Sequence, residues 1–201
     1  MTNARSITVE ATPATPWRNG GGVTRELLVW PGPADWRLRI SVADIAADGP
    51  FSAFPGVRRW FTLLAGEGVA LDFADQSLTL RPGDAPLAFD GAAAPGCRLT
   101  GGPVRDLNLM IRGGTGGMAA VSRGAAWSAP AGAQAGLFAR VPGRWRSGDQ
   151  QHTLSAHSLL WFDAPPPGGW RFEPDAPGSI ESNTPALAGW WLHHIPEGLS
   201  P

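Results

Sequence analysis

Two alternating runs of the 201-residue chain carry polar side chains at a spacing that suits a ligand site. Arg39 and Ser41 are two positions apart in one run, and Asp106 and Asn108 are two positions apart in the other. Residues at this spacing share one face of a β-strand. On an outward face they would meet solvent. Inside a small barrel they would line a polar pocket, with Arg39 against Asp106 limiting the cost of burial.

The most distinctive local motif is Trp17-Arg18-Asn19-Gly20-Gly21-Gly22. Consecutive glycines permit backbone conformations and close approaches that a Cβ would block. Their amides would form an anion-binding nest in one interpretation. In the other, the motif is a loop corner over a barrel mouth with Trp17 as a plug. The spacing matches neither a phosphate-binding P-loop nor a dinucleotide fingerprint.

Composition excludes several kinds of chemistry. All 16 basic residues are arginine and tyrosine is absent, so a lysine Schiff base, a P-loop lysine and a tyrosine acid are impossible. The single cysteine, Cys97, excludes a disulfide framework and a multi-cysteine zinc site, and no neighbouring base activates its thiol. A net charge of -1 without a basic cluster argues against nucleic-acid and membrane partners.

Metal chemistry is not expected either. The four histidines, His152, His157, His193 and His194, all lie in the last quarter of the chain, and a strand would turn His193 and His194 to opposite faces. We therefore expect no metal, no cofactor, and histidines at surface or capping positions. No secretory signal and no membrane-length apolar run are visible, which with a single free thiol predicts a cytoplasmic protein.

The elements that would position these residues are strands. The 27 glycines and 20 prolines are spread along the chain at short intervals, and no helical pattern of three turns stands out. The glycine-rich run 113–117 predicts a boundary between domains 1–112 and 118–201, and an echo of residues 79–90 in 153–163 indicates internal duplication. Apolar or alternating runs predict strands at 38–45, 59–64, 69–73, 77–80, 87–89, 106–112, 137–141, 151–154, 158–162, 169–172 and 189–195.

Pattern alone therefore predicts an all-β protein of two packed barrels or jelly rolls. The hairpin over residues 60–68, followed by 80–84, resembles the core of the cupin fold. Five motifs follow one another in the first half: PWRNGGGVTRE at 16–26, RISVADI at 39–45, DGPFSAFPG at 48–56, PLAFDG at 86–91 and GGPVRDLNLM at 101–110. In type and order these motifs resemble the HutD/Ves family of bacterial proteins, whereas the second half resembles it only loosely.

The resemblance implies a bicupin, that is, two packed cupin-like jelly-roll β-barrels, without the usual cupin metal ligands. Some members of the family accompany genes of histidine utilisation, and others are linked to stress responses. The implied role is regulatory sensing of a ligand connected with histidine breakdown, with no enzymatic activity firmly attached to the family.

Carried over position by position, the family pattern also implies a set of site residues. The chain departs from the pattern at Leu38, where the family often has tryptophan, and at Arg58, where it often has an acidic residue. The second departure changes the charge expected at the barrel mouth. The implied ligand-binding residues are Trp17, Asn19, Thr24, Glu26, Arg39, Ser41, Phe51, Ser52, Arg59, Asp90, Asp106 and Asn108.

Together these observations predict a protein that binds a small polar or anionic metabolite in the first barrel. Arg39 and Arg59 would hold a carboxylate, because a guanidinium fork fits it. Asp106 would position an arginine or accept a hydrogen bond from the ligand. The remaining expected roles are orientation of the ligand by Asn19, Ser41 and Asn108, and cover by Trp17 and Phe51.

Two other classes stay open. A metal-free isomerase or hydrolase would use Glu26, Asp90 or Asp106 as acid or base, and one of these carboxylates would then have a pKa moved towards neutrality inside the pocket. A structural interaction module would instead have its pocket filled by side chains.

Overall fold

The computed structural model describes residues 4–122, 124–175 and 187–198, whose regular secondary structure is almost entirely β-strand. A short 3-10 helix spans Gly91–Ala93. No helix among the described residues is long and apolar enough to cross a membrane. The strands are β1 (Ala4–Thr8), β2 (Thr15–Pro16), β3 (Gly22–Trp30), β4 (Leu38–Ile45), β5 (Gly49–Pro50), β6 (Val57–Ala65), β7 (Val69–Asp72), β8 (Ser77–Leu80), β9 (Leu87–Asp90), β10 (Gly96–Leu99), β11 (Val104–Arg112), β12 (Thr115–Ala120), β13 (Gln134–Ala139), β14 (Gly143–Ser147), β15 (Gln150–Leu154), β16 (Ser158–Phe162), β17 (Arg171–Pro174) and β18 (Gly189–Ile195).

The chain divides into two compact units. The first unit comprises residues 12–114, and the second comprises residues 1–11 together with 115–201. The first predicted domain, 1–112, therefore differs from the observed unit at its N-terminus. The reason is that β1 pairs antiparallel with β16, so Thr8 lies opposite Ser158 in the second unit.

The first unit consists of two antiparallel sheets around one apolar core. The larger sheet has the strand order β2-β3-β4-β11-β6-β9, and the smaller has the order β5-β10-β7-β8. Side chains from both sheets form the core, including Phe61 and Leu63 of β6 with Val69 and Leu71 of β7. The inner face of the larger sheet is thereby identified as the face that carries Phe61 and Leu63.

The second unit repeats this plan with sheets of order β1-β16-β13-β18-β12 and β15-β14-β17. Its core is rich in tryptophan, as expected for a chain whose tryptophans serve packing. Trp127 stacks on Trp191 with centroids 5.3 Å apart, and Trp145 meets Trp170 edge-on at 5.1 Å.

Most predicted strands are observed, and the main omission is β3. A register shift between Glu26 and Leu28 interrupts its pairing with β4. The shift adds a residue on one strand and breaks the period-two alternation by which a strand is recognised. The end of the motif at 16–26 therefore belongs to a strand, β3, which could not be recognised from its alternation because of the bulge.

Three of the four histidines differ from the surface or capping positions expected of them, whereas His157 lies at the surface beside Glu10. His194 is fully buried, with Nδ1 3.2 Å from Oε1 of Gln134. His193 faces Trp127, and burial lowers its pKa. His152 packs against Trp145. These histidines belong to the packing of the second unit.

The pairing of β1 with β16 yields the first prediction. Deleting residues 1–11 should leave β16 as an open sheet edge, because β1 lies at the end of that sheet. Hydrogen–deuterium exchange should then show faster exchange of the amides of Ser158–Phe162. The amides of Leu38–Ile45 in the first unit serve as the internal control, and equal protection of β16 with and without residues 1–11 would contradict the pairing.

Candidate functional site

A cavity of about 720 Å³ opens on the inner face of the larger sheet of the first unit. Its walls come from β3, β4, β6 and β11 and from the segments around Trp17 and Phe51. The sheet register aligns the strand residues that line it, since paired positions present side chains on the same face. The rows are Thr24–Ala43–Asp106, Glu26–Ser41–Asn108 and Arg39–Met110–Arg59. Leu63 and Phe61 of β6 continue the first two rows into the apolar core.

Eleven of the twelve residues implied by the family pattern line this cavity. The inward orientation of the alternating runs, which spacing left open, is therefore established for Arg39 with Ser41 and for Asp106 with Asn108. The eleven are Trp17, Asn19, Thr24, Glu26, Arg39, Ser41, Phe51, Ser52, Arg59, Asp106 and Asn108.

Asp90 is the exception, and its assignment to the cavity was wrong. Phe89 lies opposite Arg59 on the inner face, so the next residue along β9 turns outward. The Asp90 side chain caps the 3-10 helix instead, where its Oδ1 accepts a hydrogen bond from the amide of Ala92 at 2.8 Å.

The cavity also contains residues that the sequence analysis did not single out. Ala43 and Met110 continue the two alternations by one further step, so extending the period-two pattern would have found them. The others lie in two-residue strands or in loops, which are too short or too irregular to show this alternation. They are Thr15, Pro16, Arg18, Pro50 and Phe54.

The glycine motif forms a tight corner at the cavity. Gly20 has φ +71°, and its amide donates to the Trp17 carbonyl at 3.0 Å. The Gly21 amide donates to Oδ1 of Asn19 at 3.0 Å. These two amides are therefore already used, which favours the corner over the anion nest. Trp17 is held in place by a 2.7 Å hydrogen bond from its Nε1 to Oγ1 of Thr24.

Arg59 is the most deeply buried arginine of the cavity, with 5% of its surface exposed. Its guanidinium carbon lies 4.9 Å from the ring centre of Phe51 and 5.0 Å from that of Phe89. Nη2 donates to Oδ1 of Asn108 at 2.9 Å. Burial lowers the pKa of Arg59 to about 10, while the charge of Asp106 acts in the opposite direction. The group thus stays cationic at neutral pH.

Asn108 links Arg59 to Asp106. Its Oδ1 accepts from Arg59, and its Nδ2 donates to Oδ1 of Asp106. Asp106 is 1% exposed. Burial raises the pKa of its carboxyl group to about 8, although the Arg59 charge opposes the shift. At pH 7 the carboxyl group is therefore mostly neutral.

The expected partner of Arg39 is corrected by the structure. Its Nε lies 2.7 Å from Oε1 of Glu26, in an ion pair across the wall of the cavity. The reason is the strand register: Arg39 lies opposite Met110 on β11, four positions from Asp106, whereas Glu26 on β3 lies opposite Ser41, the neighbouring inward position on β4. Asp106 is coupled instead to Arg59 of the neighbouring strand.

Neither the carboxylates nor Cys97 forms a metal centre here. In the described ranges, no group of three or more histidine, cysteine or acidic side chains converges in a way that would hold a metal ion. Cys97 is buried, and its burial, with the charge of Asp106, raises the pKa of the thiol to about 12. Such a thiol is unreactive at neutral pH.

Comparison with known proteins identifies the relatives of this chain. The HutD family model matches residues 9–180. An uncharacterized 21.2 kDa protein from the hutC 3' region of Pseudomonas putida is 40% identical over 115 residues, which cover 55% of this chain and 59% of that protein. The match thus spans less than two thirds of this relative's length.

Solved structures show the same fold. A conserved protein of unknown function from Pseudomonas aeruginosa PAO1 is 25% identical with a TM-score of 0.73, covering 98% of this chain and 94% of that one. HutD from Pseudomonas fluorescens SBW25 is 23% identical with a TM-score of 0.79, covering 96% and 98%. The predicted all-β bicupin fold and the family resemblance are confirmed.

The corner at the cavity yields a second prediction. A Cβ added at Gly22 would lie 2.4 Å from the Asp44 carbonyl oxygen and 3.2 Å from the Trp17 ring. Gly22→Ala should therefore destabilise the protein by about 1–3 kcal/mol, measured by urea unfolding. Gly32→Ala is the matched control, because a Cβ there meets no atom within 4 Å. Equal stability of the two variants would contradict the close packing at Gly22.

The buried carboxyl group yields a third prediction. The pKa of Asp106 rises from 3.8 to about 8 on folding. Between these values the native state holds one more proton than the unfolded state, so this group makes stability fall as pH rises from about 4 to about 8. Asp106→Asn lacks that proton. Its free energy of unfolding relative to wild type should therefore increase over this window, by up to about 1.4 kcal/mol per pH unit.

The measurement is urea unfolding of wild type and Asp106→Asn at several pH values. Asp75→Asn, a change at an exposed position of the same unit, is the control and should follow wild type at every pH. A stability difference between Asp106→Asn and wild type that stays constant from pH 5 to pH 8 would show that Asp106 titrates normally.

Proposed function

The chain belongs to the HutD family, and we propose that the cavity of its first unit binds a small metabolite carrying a carboxylate. The observation that carries the proposal is the buried Arg59 guanidinium on the cavity wall, whose acidic neighbour Asp106 is mostly neutral at pH 7. A buried cation without a full counter-charge favours an anion beside it.

The other charges of the cavity agree with an anionic ligand. Arg39 is balanced by Glu26 through their ion pair. Arg18 also lines the cavity. The three arginines of the cavity therefore outnumber its ionised carboxylate, that of Glu26. A guanidinium group binds a carboxylate through paired hydrogen bonds, which fixes its orientation as well as its charge.

The size and walls of the cavity suit a compact organic molecule. A volume of about 720 Å³ is within the range of small-molecule sites. Trp17, Phe51 and Phe54 provide apolar surface, and Ser41, Ser52 and Asn19 provide polar groups. An open cavity of this size does not favour a purely structural module, whose pocket would be filled by side chains.

The family is linked to histidine utilisation, and the Pseudomonas putida relative lies in a hutC 3' region. Within our proposal the ligands are imidazole-ring carboxylates or N-substituted glutamates, and the protein acts in the cytoplasm as a regulator that responds to their concentration. A cytoplasmic setting suits a chain whose single cysteine, Cys97, is free. No metal or cofactor, nucleic acid or membrane takes part in this proposal.

One observation favours a second candidate function. Asp106 is a carboxyl group with a pKa of about 8 on the wall of a cavity, which is the property expected of a general acid or base. In a metal-free isomerase or hydrolase it would exchange a proton with the substrate. Steady conversion of a bound carboxylate, followed by NMR and lost in Asp106→Asn, would favour this candidate.

The binding proposal is tested by calorimetry with N-acetylglutamate and imidazole-4-acetate, one probe from each ligand class. Arg39→Ala should weaken binding about 10- to 100-fold, the loss typical of a charge-assisted hydrogen bond. Arg39 is a sharper test than Arg59, because truncating Arg59 would also remove its packing on Phe51 and Phe89.

Arg58→Ala is the matched control. It removes the same charge from an exposed position of β6, outside the cavity, and should leave binding unchanged. The proposal would be overturned if neither probe bound to wild type, or if Arg39→Ala bound both probes as tightly as Arg58→Ala did.

A further inference from the structure

We propose that Asp106 is the specificity-determining residue of the cavity, because Arg59 takes its counter-charge either from ionised Asp106 or from a ligand carboxylate, and a ligand carboxylate binds beside Arg59 when Asp106 is protonated. This inference rests on the proposed function and adds a chemical requirement to it. The ligand must carry a negative charge where it meets Arg59, and binding it is coupled to protonation of a side chain that is part of the protein.

The geometry places three groups in one chain of hydrogen bonds. Arg59 donates to Asn108, and Asn108 donates to Asp106. The Asn108 amide thus contacts the cation through its oxygen and the carboxyl group through its nitrogen. Arg59 and Asp106 influence each other electrostatically while a neutral amide separates them, so a second anion can approach Arg59 without displacing the Asp106 side chain.

Burial limits this site to one negative charge. Asp106 and Arg59 are 1% and 5% exposed, so water does little to screen two anions beside the one guanidinium. A second buried anion would be strongly destabilising. With Asp106 ionised the pair is neutral without a ligand, and with Asp106 protonated the pair is neutral only when an external anion is bound.

The charged groups around Asp106 act on its pKa in opposite directions. Asp44 on β4 raises its pKa, and Arg59 on β6 lowers it. Asn108 on its own strand is neutral, and the Cys97 thiol on β10 is protonated. The charges of the nearby Arg39–Glu26 pair balance each other. Arg59 is therefore the group that favours the ionised form, and a ligand carboxylate that neutralises Arg59 removes this stabilisation.

The charge exchange predicts how affinity depends on pH. A pKa of about 8 means that free Asp106 is mostly protonated at pH 7 and mostly ionised at pH 9. Because the complex needs the protonated form, a carboxylate should bind about tenfold more weakly at pH 9 than at pH 7. A neutral carboxyl group can also donate a hydrogen bond to a ligand oxygen, which an ionised one cannot.

The experiment measures calorimetric affinities of N-acetylglutamate and formate at pH 7, 8 and 9. Neither probe titrates in this range, since ordinary carboxyl groups are fully ionised above pH 6. Wild type should lose about tenfold in affinity between pH 7 and pH 9, and Asp106→Asn should lose almost none. Asp75→Asn, exposed and outside the cavity, should behave as wild type.

A second measurement needs no variant and covers the case in which Asp106→Asn fails to fold. Wild type is titrated at pH 8.5 in phosphate and in Tris, whose ionisation heats differ, and the difference reports protons taken up on binding. We expect an uptake of about 0.5–1 proton per carboxylate bound.

The outcomes separate the two proposals. If a probe binds with the same affinity at pH 7 and pH 9 and without proton uptake, the charge exchange is overturned while the binding function stands. A pH dependence retained in a folded Asp106→Asn variant would assign the proton to another group and would also overturn it. If neither N-acetylglutamate nor imidazole-4-acetate binds to wild type, the proposed function itself fails.

Discussion

Burying the Arg59 guanidinium takes a cation out of water, and the side chains around it offset that cost. Phe51 and Phe89 lie against its faces, so part of the lost hydration is replaced by cation–π attraction. Asn108 accepts a hydrogen bond from Arg59 and donates one to Asp106. The carboxyl group is in turn so deeply buried that it is mostly neutral at pH 7. Burial of the acid thus outweighs the opposing charge of the arginine, to which it is linked through the Asn108 amide.

The inner face of the larger sheet serves stability and binding at the same time. Along β6 it carries Leu63 and Phe61 in the apolar core and then Arg59 at the cavity. The change from apolar to polar occurs along this one strand, so the packed core directly supports the site. Side chains held by paired strands are positioned more accurately than side chains on loops. This continuity explains how a pocket with few hydrogen bonds of its own keeps a defined charge pattern.

Local periodicity accounts for what could be predicted from the sequence. Arg39 with Ser41, and Asp106 with Asn108, lie on strands whose alternation is regular, and only their inward orientation needed the structure. The bulge in β3 broke the alternation of that strand. The register of β4 with β11 places Arg39 opposite Met110 rather than near Asp106, and Arg39 pairs with Glu26 instead. Asp90 matched a family motif but turns outward next to Phe89, since a motif records residue types and not the face on which each lies.

Long-range pairing could not be predicted from local pattern at all. The strand Ala4–Thr8 pairs with Ser158–Phe162, and the whole of the first unit lies between these partners in the sequence. During synthesis β1 leaves the ribosome about 150 residues before its partner, which at typical elongation rates corresponds to roughly 10–30 s. The first unit can finish folding in that interval, whereas the second must wait with one strand unpaired. Order of emergence therefore favours completion of the ligand-binding unit before the tryptophan-rich one.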